Sequence, residues 1–415
     1  MIGESLLRLG HAAVASDYWR WYATHQFDDG KVPCCVDARG PDPVPEHDSA
    51  GEFLFLAGEI YRYTQDRSFI GEAWPRIDTA ARYLETLRQR GRVAGVHDGK
   101  RPPTFGLVPA SISHEGYSAK PVHSYWDDFW ALKGYASASM IADALGDAKA
   151  AKRLGSAHDE FRRDLYASLT AAAALHRIDY LPGSVELGDF DATSTTIALA
   201  PRGDPLAVPD PLLTPTFERY WTAFAARRDG KAAWNEYTPY ELRTVGTFVR
   251  LGFRERAHEL LDFFMEGRRP AAWNQWPEVV GRELRKPLFI GDLPHAWVAS
   301  DYIRAVLDLF AYERSDGAMI LAGGIPAAWL DRAGVSMRGL YTPYGTVSYS
   351  LVRTDQRIAE LTVSASGRLP PGGFVLAGPW QRPLHATING KPAIIRGNEL
   401  RIDELEAKVV LQLSR

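Results

Sequence analysis

The sequence predicts a mainly α-helical fold, a ring of helical hairpins, followed by a small antiparallel β-sandwich. Helical hydrophobic repeats separated by Gly- and Pro-bearing loops run from the N-terminus to about residue 312. The helices alternate between two kinds. After about residue 316 the pattern changes to short alternating segments broken by Gly and Pro. We therefore expect two domains, 1–315 and 316–415.

Eleven candidate helices come first, and they differ in how their apolar residues are distributed. The segment 72–90 is amphipathic, with Trp74, Ile77, Ala81 and Leu84 on one face, which predicts an outer helix with one wet side. The segment EFLFLAGEIY from Glu52 is apolar or small nearly all round, which predicts an inner helix. The candidates cover 1–10, 11–26, 48–64, 72–90, 126–145, 148–168, 192–200, 213–227, 238–251, 254–267 and 294–313.

The two kinds of helix follow each other in the order inner, outer, inner, outer. A closed double ring of six hairpins, an (α/α)6 toroid, has twelve helices and begins with an outer one. This chain has eleven candidates, of which six are inner. We therefore expect a toroid that lacks its first outer helix, and an N-terminus that is truncated.

Five segments in the last hundred residues alternate as β-strands do. Asn389 and Gly390 stand between alternating residues, which is a strong signal for a two-residue hairpin turn. The segments are TVSYSLV from Thr346, IAELTVSAS from Ile358, GFVLAG from Gly373, HATING from His385 and KVVLQLS from Lys408.

Composition and charge exclude several classes of function. Lys plus Arg number 48 against 51 for Asp plus Glu, so the net charge of −3 gives no basic surface for nucleic acid or an anionic membrane. No apolar run approaches the roughly 18–20 residues of a membrane span. Cys34 and Cys35 are adjacent, a spacing that favours local packing over a disulfide. No GxGxxG, Walker, HExxH or GxSxG motif occurs, so no cofactor is expected.

Carbohydrate is the predicted partner, because aromatic residues make up 11% of the chain and many lie beside acids. Rings can stack on sugar faces, although the same residues can fill a helical core. Acidic and aromatic residues occur where four inner helices begin, and these approaches would converge at one end of a ring. Helix capping explains each acid singly, but four together favour a site.

Glycoside hydrolysis needs two carboxyl groups on either side of one bond, an acid and a base or nucleophile. In SYWDDFW, Asp127 and Asp128 lie between Trp126 and Trp130 at the start of an inner helix. Burial beside tryptophan raises a carboxyl pKa, as a general acid requires. One aspartate would be the acid and the other would cap the helix or bind a sugar hydroxyl. Glu115 in the preceding loop is the reserve acid.

The second carboxyl candidate is Glu278 in WNQWPEVV, which follows Trp273 and Trp276. Its alternative role is a structural carboxylate paired with Arg282 or Arg285. The remaining acids and aromatic residues near the starts of inner helices are predicted to bind sugar: Glu46, His47, Asp48, Trp126, Trp130, Glu236, Tyr237, Trp273, Trp276, His295 and Trp297. A metal site made of Glu46, His47 and Asp48 is not favoured, because three consecutive ligands rarely converge.

With these motifs the sequence resembles the six-hairpin glycosidases, α/α-toroid enzymes that include trehalases, glucoamylases, glycogen-debranching glucosidases, processing α-glucosidases and α-rhamnosidases. SYWDDFW is similar to the trehalase-type segment ending in Gly-Trp-Asp, which implies that Asp127 is the general acid. Glu278 stands where these enzymes carry their general base, about twenty residues before the last inner helix. EHDSAGEFLFLAGEIYRYTQD looks like their second hairpin. The resemblance implies an inverting mechanism, with the two carboxyl groups roughly 6.5–9.5 Å apart.

Two other readings stay open. A toroid-type polysaccharide lyase would use Tyr125 with His123 as its base, although an acidic cavity repels a uronate polymer. A non-catalytic carbohydrate-binding or truncated, inactive toroid is the third possibility, since the Arg-Asp pair that family members often carry at the first inner helix is absent. The sugar, its anomer, exo or endo action and the oligomeric state are undetermined. So is the compartment, with the cytoplasm favoured because the given chain carries no signal peptide.

Overall fold

A computed structural model describes residues 1–93, 101–113, 116–202, 208–283, 293–331, 333–380 and 383–413. These residues form two compact units. The first contains Met1, Gly3–Leu7 and His11–Ala223, and the second contains Ile2, Arg8–Gly10 and Phe224–Arg415. The predicted domains 1–315 and 316–415 stay a prediction of the sequence.

The first unit is helical, and most of its helices lie where the hydrophobic repeats predict them. Its elements are α1 (Ile2–Arg8), α2 (Ala12–Ala23), α3 (Asp48–Thr64), α4 (Arg67–Val93), α5 (Tyr125–Leu145), α6 (Ala148–His176), α7 (Ala192–Thr195) and α8 (Asp210–Arg228), whose last residues belong to the second unit. The predicted helix 192–200 is shorter than expected, because α7 passes into a 3-10 turn at Thr196–Ala198.

The predicted difference in burial between the amphipathic segment 72–90 and the mainly apolar segment 126–145 is confirmed in α4 and α5. Helix α4 buries one stripe that includes Ile77, Leu84 and Leu87, and it exposes Glu72 and Arg82. Helix α5 is buried on nearly every side and packs against α3, α4 and α6. This difference follows from the sequence, since only α4 carries regularly spaced charges.

Helices α3 and α5 run in the same direction at very close range, because glycines occupy their contact. A Cβ atom on Gly51 would lie 2.4 Å from the carbonyl oxygen of Trp130, and one on Gly58 would lie 2.7 Å from the Cβ of Ser137. A Cβ on Gly134 would lie 3.0 Å from the Cα of Gly51. The contact therefore brings the first turns of α3 and α5 side by side.

The second unit continues with α9 (Leu242–Arg250), α10 (Arg254–Glu266), α11 (Ala296–Phe310) and the short α12 (Ala327–Leu330). Helix α9 packs against both α10 and α11. A 3-10 turn over Pro239–Glu241 leads into α9, so the start of the predicted helix 238–251 is corrected. No helix among the described residues has the length and apolar content needed to cross a membrane.

Two β-sheets follow α11 and enclose one hydrophobic core. The first sheet has the strand order β13-β14-β10-β6-β5, and the second has the order β12-β11-β15-β9-β8-β7. The strands are β5 (Ala311–Glu313), β6 (Met319–Leu321), β7 (Val335–Thr342), β8 (Gly345–Asp355), β9 (Ile358–Ala365), β10 (Phe374–Leu376), β11 (Pro383–Ile388), β12 (Lys391–Ala393), β13 (Ile395–Arg396), β14 (Glu399–Ile402) and β15 (Glu406–Leu413). Leu376 from one sheet and Leu361 from the other belong to the shared core.

The five strands predicted in this region are confirmed as β8, β9, β10, β11 and β15, but the predicted pairing is corrected in one detail. Strands β6 and β10 are parallel, whereas the sequence predicts an antiparallel domain throughout. The predicted hairpin is confirmed, since Asn389 and Gly390 both have positive φ and Ile388 pairs with Lys391. Both residues lie in the left-handed region that a type I′ turn requires.

Two further strand pairs in the helical part were not predicted. They are β1 (Val36–Asp37) with β2 (Gly40–Pro41), and β3 (Glu236–Tyr237) with β4 (Val280–Gly281). Each strand has only two residues, which is too short for an alternating pattern to show in the sequence.

Candidate active site

Asp127 and Asp128 lie in the first turn of α5, which begins after Ser124 in extended conformation. The two side chains bond to different parts of the loop that precedes the helix. The hydroxyl groups of Ser111 and Ser113 donate to Asp127 Oδ2 at 2.6 Å and to Oδ1 at 2.7 Å. Asp128 Oδ1 accepts the backbone N–H of Val108 at 3.1 Å. Both aspartates have 0% of their surface exposed.

Burial governs the acidity of both carboxyl groups. Burial raises the pKa of Asp127 well above the usual range, and the nearby charge of Asp48 raises it further. The hydrogen bonds from Ser111 and Ser113 lower this pKa but do not outweigh the other two effects. Burial likewise raises the pKa of Asp128 to about 7, although the backbone N–H of Val108 favours its ionised form. Both groups can therefore hold a proton at pH values where an exposed aspartate is ionised.

Asp48 joins the two aspartates through the contact between α3 and α5. The indole N–H of Trp126 donates to Asp48 Oδ2 at 2.7 Å. We call Asp48, Trp126, Asp127 and Asp128 the acid cluster. Of the neighbouring predicted residues, His47 is buried, which lowers its pKa to about 4 and leaves it neutral at pH 7, and Glu46 is half-buried.

The loop before α5 closes over the acid cluster through backbone hydrogen bonds. Ser111 and Val122 exchange two backbone hydrogen bonds at 3.0 and 3.1 Å, and Ser113 has a positive φ of 38°. The reserve acid Glu115 lies outside the described residues. Trp130 is fully buried, with its ring 5.8 Å from that of Trp126. The two tryptophans are thus packed inside the fold and are not an exposed platform.

Other acids near the start of α5 were missed by the sequence reasoning. Glu186 accepts from the backbone N–H of His123 at 3.0 Å and pairs with its Nδ1 at 2.6 Å. Asp189 accepts from the hydroxyl group of Tyr117 at 2.8 Å. Both acids come from the loop after α6, which has no helical or strand pattern that would place it beside α5.

Glu278 in the second unit has a different environment, because it is half-buried and lies beside a tyrosine. The hydroxyl group of Tyr240 donates to Glu278 Oε1 at 3.3 Å and lies 3.4 Å from His295 Nε2. His295 caps α11 by accepting the backbone N–H of Val298 on Nδ1 at 3.3 Å. With Nδ1 accepting, a neutral ring would carry its proton on Nε2, which faces the hydroxyl group of Tyr240.

Tyr240 is held in place by aromatic and cationic neighbours. Its ring lies 5.3 Å from Trp297, and the Arg243 guanidinium lies 5.0 Å above it. Arg243 in turn donates to Asp301 at 2.8 Å. Burial and the charge of Glu278 raise the pKa of Tyr240, so its hydroxyl group stays protonated and remains a donor to Glu278.

The other predicted sugar-binding residues of this unit divide between surface and core. Trp273 is 63% exposed, and Glu236 is also exposed. Trp276 is buried, and its indole N–H donates to the carbonyl group of Phe264 at 2.8 Å. Tyr237 is buried among aromatic rings, including that of Phe263 at 5.6 Å. The structure therefore gives Trp276 and Tyr237 packing roles.

The alternative pairing of Glu278 with arginine concerns two residues. Arg282 has an exposed side chain, and its backbone N–H donates to the carbonyl group of Asn235 at 2.8 Å. Arg285 lies outside the described residues. The hydrogen bond from Tyr240 is thus the contact on which the role of Glu278 can be argued.

Comparison with known structures finds several similar folds, although no family model and no curated protein matches the sequence. The α-L-rhamnosidase from Dictyoglumus thermophilum aligns over 99% of this chain and 45% of its own, with a TM-score of 0.60 and 14% identity. The α-L-rhamnosidase of Streptomyces avermitilis, solved with L-rhamnose, aligns over 99% of this chain and 37% of its own, with a TM-score of 0.51 and 15% identity.

A third similar structure is native α-L-rhamnosidase from Aspergillus terreus, which aligns over 96% of this chain and 45% of its own, with a TM-score of 0.51 and 12% identity. This chain therefore spans less than half the length of each of these proteins. At such low identity the likeness establishes the fold alone. The fold of this chain, helices followed by β-sheets, is therefore similar to a part of each of these three structures.

Proposed function

We propose that this chain is a glycoside hydrolase and that its helices belong to an (α/α)6 toroid. The observation that carries the proposal is the acid cluster, in which two fully buried carboxyl groups at the start of one helix have raised pKa values. The fold shared with three α-L-rhamnosidases supports it. α-L-Rhamnosides are consequently the first substrates to test.

In the proposed mechanism Asp127 is the general acid and Glu278 is the general base. The raised pKa of Asp127 keeps a proton available for the departing glycosidic oxygen. Glu278, oriented by the hydroxyl group of Tyr240, would deprotonate the water that attacks the anomeric carbon from the opposite face, so the product would have the inverted configuration. Exposed Trp273, together with His295 and Trp297, would contact the sugar.

One observation favours a second candidate, a carbohydrate-binding protein without turnover. Asp127 is enclosed by Ser111 and Ser113, which occupy both of its oxygens. A leaving group can reach this carboxyl group only if the segment that carries Ser111 and Ser113 moves away. If that segment stays in place, sugar binding at the exposed aromatic residues would occur without hydrolysis.

A polysaccharide lyase is not favoured, because of the contacts that its predicted base, Tyr125 with His123, makes in the structure. The hydroxyl group of Tyr125 is buried and lies 2.8 Å from the hydroxyl group of Ser168, and burial raises its pKa. An elimination base needs the opposite shift. His123 is engaged by Glu186 instead of by Tyr125.

Hydrolysis of 4-nitrophenyl α-L-rhamnoside, within a panel of aryl α- and β-glycosides, tests the proposal. We expect turnover of one member, and we expect Asp127→Asn and Glu278→Gln each to lower kcat/KM by about 10²- to 10⁴-fold. Asp331→Asn, which alters an exposed ion pair with Arg353, is the control and should keep wild-type activity. NMR of the first-formed sugar should show the inverted anomer.

A second substrate separates the two proposed roles. A 2,4-dinitrophenyl glycoside has a leaving group that needs little protonation. The Asp127→Asn variant should therefore hydrolyse this substrate at a rate much closer to that of the wild type, whereas Glu278→Gln should stay slow. Equal activity of both variants and the wild type would contradict the assignment. Sugar binding by calorimetry with no turnover on any panel member would support the second candidate instead.

A further inference from the structure

Cys34 and Cys35 lie beside Asp42 because a short hairpin returns the chain to them. Strands β1 and β2 pair Val36 with Pro41, and the next residue, Asp42, donates its backbone N–H to the carbonyl group of Cys35 at 3.0 Å. The two sulfur atoms are 3.1 Å apart. The Sγ atoms and one carboxylate oxygen of Asp42 all lie within 4.8 Å of one another.

We propose that Cys34, Cys35 and Asp42 form a binding site for a thiophilic divalent cation of the Zn²⁺ class. Two thiolates and a carboxylate are ligands that Zn²⁺ accepts, with Zn–S near 2.3 Å and Zn–O of about 2.0–2.2 Å. Tetrahedral coordination places two sulfur ligands about 3.8 Å apart. The sulfur atoms would therefore separate by less than about 1 Å, a shift that side-chain rotation can supply.

The surroundings of the three residues suit a cation. Both cysteines are free thiols, Cys34 half-buried and Cys35 exposed, and their adjacency disfavours a mutual disulfide. The negative charge of Glu46 acts on Cys34. The nearby cations are engaged elsewhere, since Arg39 pairs with Asp37 and the Lys31 ammonium donates to the carbonyl group of Pro43.

Hydrogen bonds behind the ligands hold them in position. The hydroxyl group of Tyr22 donates to the carbonyl groups of Pro33 at 2.7 Å and Cys34 at 3.0 Å. Asp42 Oδ1 accepts the backbone N–H of Val44 at 2.9 Å, which orients the carboxylate. Such outer contacts restrict ligand orientation in metal sites. The exposure of Cys35 leaves the fourth coordination position to water.

This site differs from both expectations that the sequence raised nearby. The adjacency of the cysteines predicts local packing, and the sequence does not favour a metal site made of Glu46, His47 and Asp48. The hairpin instead brings Asp42, seven residues after Cys35 in the sequence, next to the two cysteines. A bound ion would tether the segment that leads into α3, and its presence is independent of any glycosidase activity.

Cobalt titration of the reduced, metal-free chain tests the proposal. With the thiols kept reduced by a phosphine, one equivalent of Co²⁺ should produce a thiolate-to-cobalt charge-transfer band, and Zn²⁺ should displace it. Binding should strengthen as the pH rises, because the thiols must lose their protons. The double variant Cys34→Ser, Cys35→Ser should lose the band, and Asp42→Asn should weaken Zn²⁺ binding by more than about tenfold.

Asp37→Asn is the matched control, because Asp37 lies on the same hairpin but outside the ligand set. It should bind Co²⁺ with unchanged affinity. Circular dichroism will show whether the double serine variant folds. If it does not fold, Asp42→Asn, which keeps both thiols, tests the site in its place. A wild-type chain with two titratable thiols and no charge-transfer band would overturn the proposal, as would a band that survives in the double serine variant.

Discussion

Asp127 in the first unit and Asp308 in the second are both buried aspartates on helices, yet their pKa values move in opposite directions. The two oxygens of Asp127 accept from serine hydroxyl groups, and burial raises its pKa. Burial also acts on Asp308, but the guanidinium groups of Arg250, Arg8 and Arg304 outweigh it and lower the pKa. The neighbouring groups, more than the depth of burial, decide whether a buried carboxyl group is charged.

The contrast extends beyond these two residues. In the second unit the buried acids have arginine partners, as in the pairs Glu241 with Arg227 and Asp301 with Arg243. Such pairs bring opposite charges into contact inside the fold and serve structure. In the acid cluster, hydroxyl, indole and backbone N–H donors take the place of arginine, and Asp127 and Asp128 are able to hold protons. The two regions therefore use similar residues for different purposes.

Removing the charge of Asp308 should have the largest effect. Asp308→Asn leaves the buried Arg8 and the half-buried Arg250 without their carboxylate, so we expect a loss of about 3–5 kcal/mol in the free energy of unfolding at pH 7. Because the folded pKa is lowered, this stabilisation is present above the unfolded pKa of about 3.9 and is lost as pH falls through the folded pKa. Urea unfolding measures it.

Asp316→Asn is the control for that experiment, because Asp316 pairs with Arg314 at the surface. Exposed pairs contribute only about 0–1 kcal/mol. Equal losses in both variants would contradict the view that burial and arginine pairing together give Asp308 its importance.

Asp128 should show the opposite pH dependence. Its folded pKa is raised from 3.8 to about 7, so the folded chain holds a proton that the unfolded chain loses, and stability falls as pH rises between these values. At 1.36 kcal/mol per pH unit the whole change is about 4 kcal/mol. Asp128→Asn should remove this contribution, which urea unfolding from pH 4 to pH 8 would reveal. An unchanged pH slope in the variant would show that Asp128 is ionised in the fold.

The close contact of α3 and α5 can be disturbed without changing any charge. Gly51→Ala places a Cβ atom 2.4 Å from the carbonyl oxygen of Trp130, so the helices must separate. We expect a loss of about 1–3 kcal/mol in the free energy of unfolding. Gly71→Ala in α4 has open space at that position and should stabilise the chain by up to about 1 kcal/mol. Thermal unfolding of both variants compares them, and the same sign for both would refute the packing argument.

Tyr240→Phe should have the smallest effect. It removes the hydrogen bond to Glu278 and the contact with His295 but keeps the aromatic packing. At 3.3 Å the hydrogen bond to the Glu278 carboxylate is long and therefore weak, about 0.5–1.5 kcal/mol, so kcat/KM on a hydrolysed glycoside should fall by about 2- to 10-fold. Tyr341→Phe, an exposed tyrosine of the same unit, should keep full activity. Wild-type kinetics for Tyr240→Phe would remove the reason to assign Tyr240 an orienting role.

The fold was predictable where the signal is local. Charges at helical spacing distinguish α4, which is buried on one side, from α5, which is buried on nearly every side, and Asn389-Gly390 marks the hairpin turn between β11 and β12. The two-residue pairs β1 with β2 and β3 with β4 gave no such signal. Neither did the parallel pairing of β6 with β10, because it joins segments more than fifty residues apart.

The candidate site was predictable only in part for the same reason. The first turn of α5 and the loop around Glu278 stood out as acids among tryptophans. Ser111 and Ser113 did not, because serines in a loop carry no pattern, and they reach Asp127 only through the bridge between Ser111 and Val122. Trp276 looked like a sugar platform but lies in the core, with its N–H bonded to Phe264.

The sequence by itself determined the helical and strand regions, the two kinds of helix and the acids that start α5. These properties depend on neighbours within a few residues along the chain. Tertiary structure alone decided which buried acids hold protons and which are paired with arginine. It also decided that Asp42 lies next to Cys34 and Cys35. The physical reason is that electrostatic and hydrogen-bond energies depend on distances of a few ångströms between groups that the chain brings together from far apart.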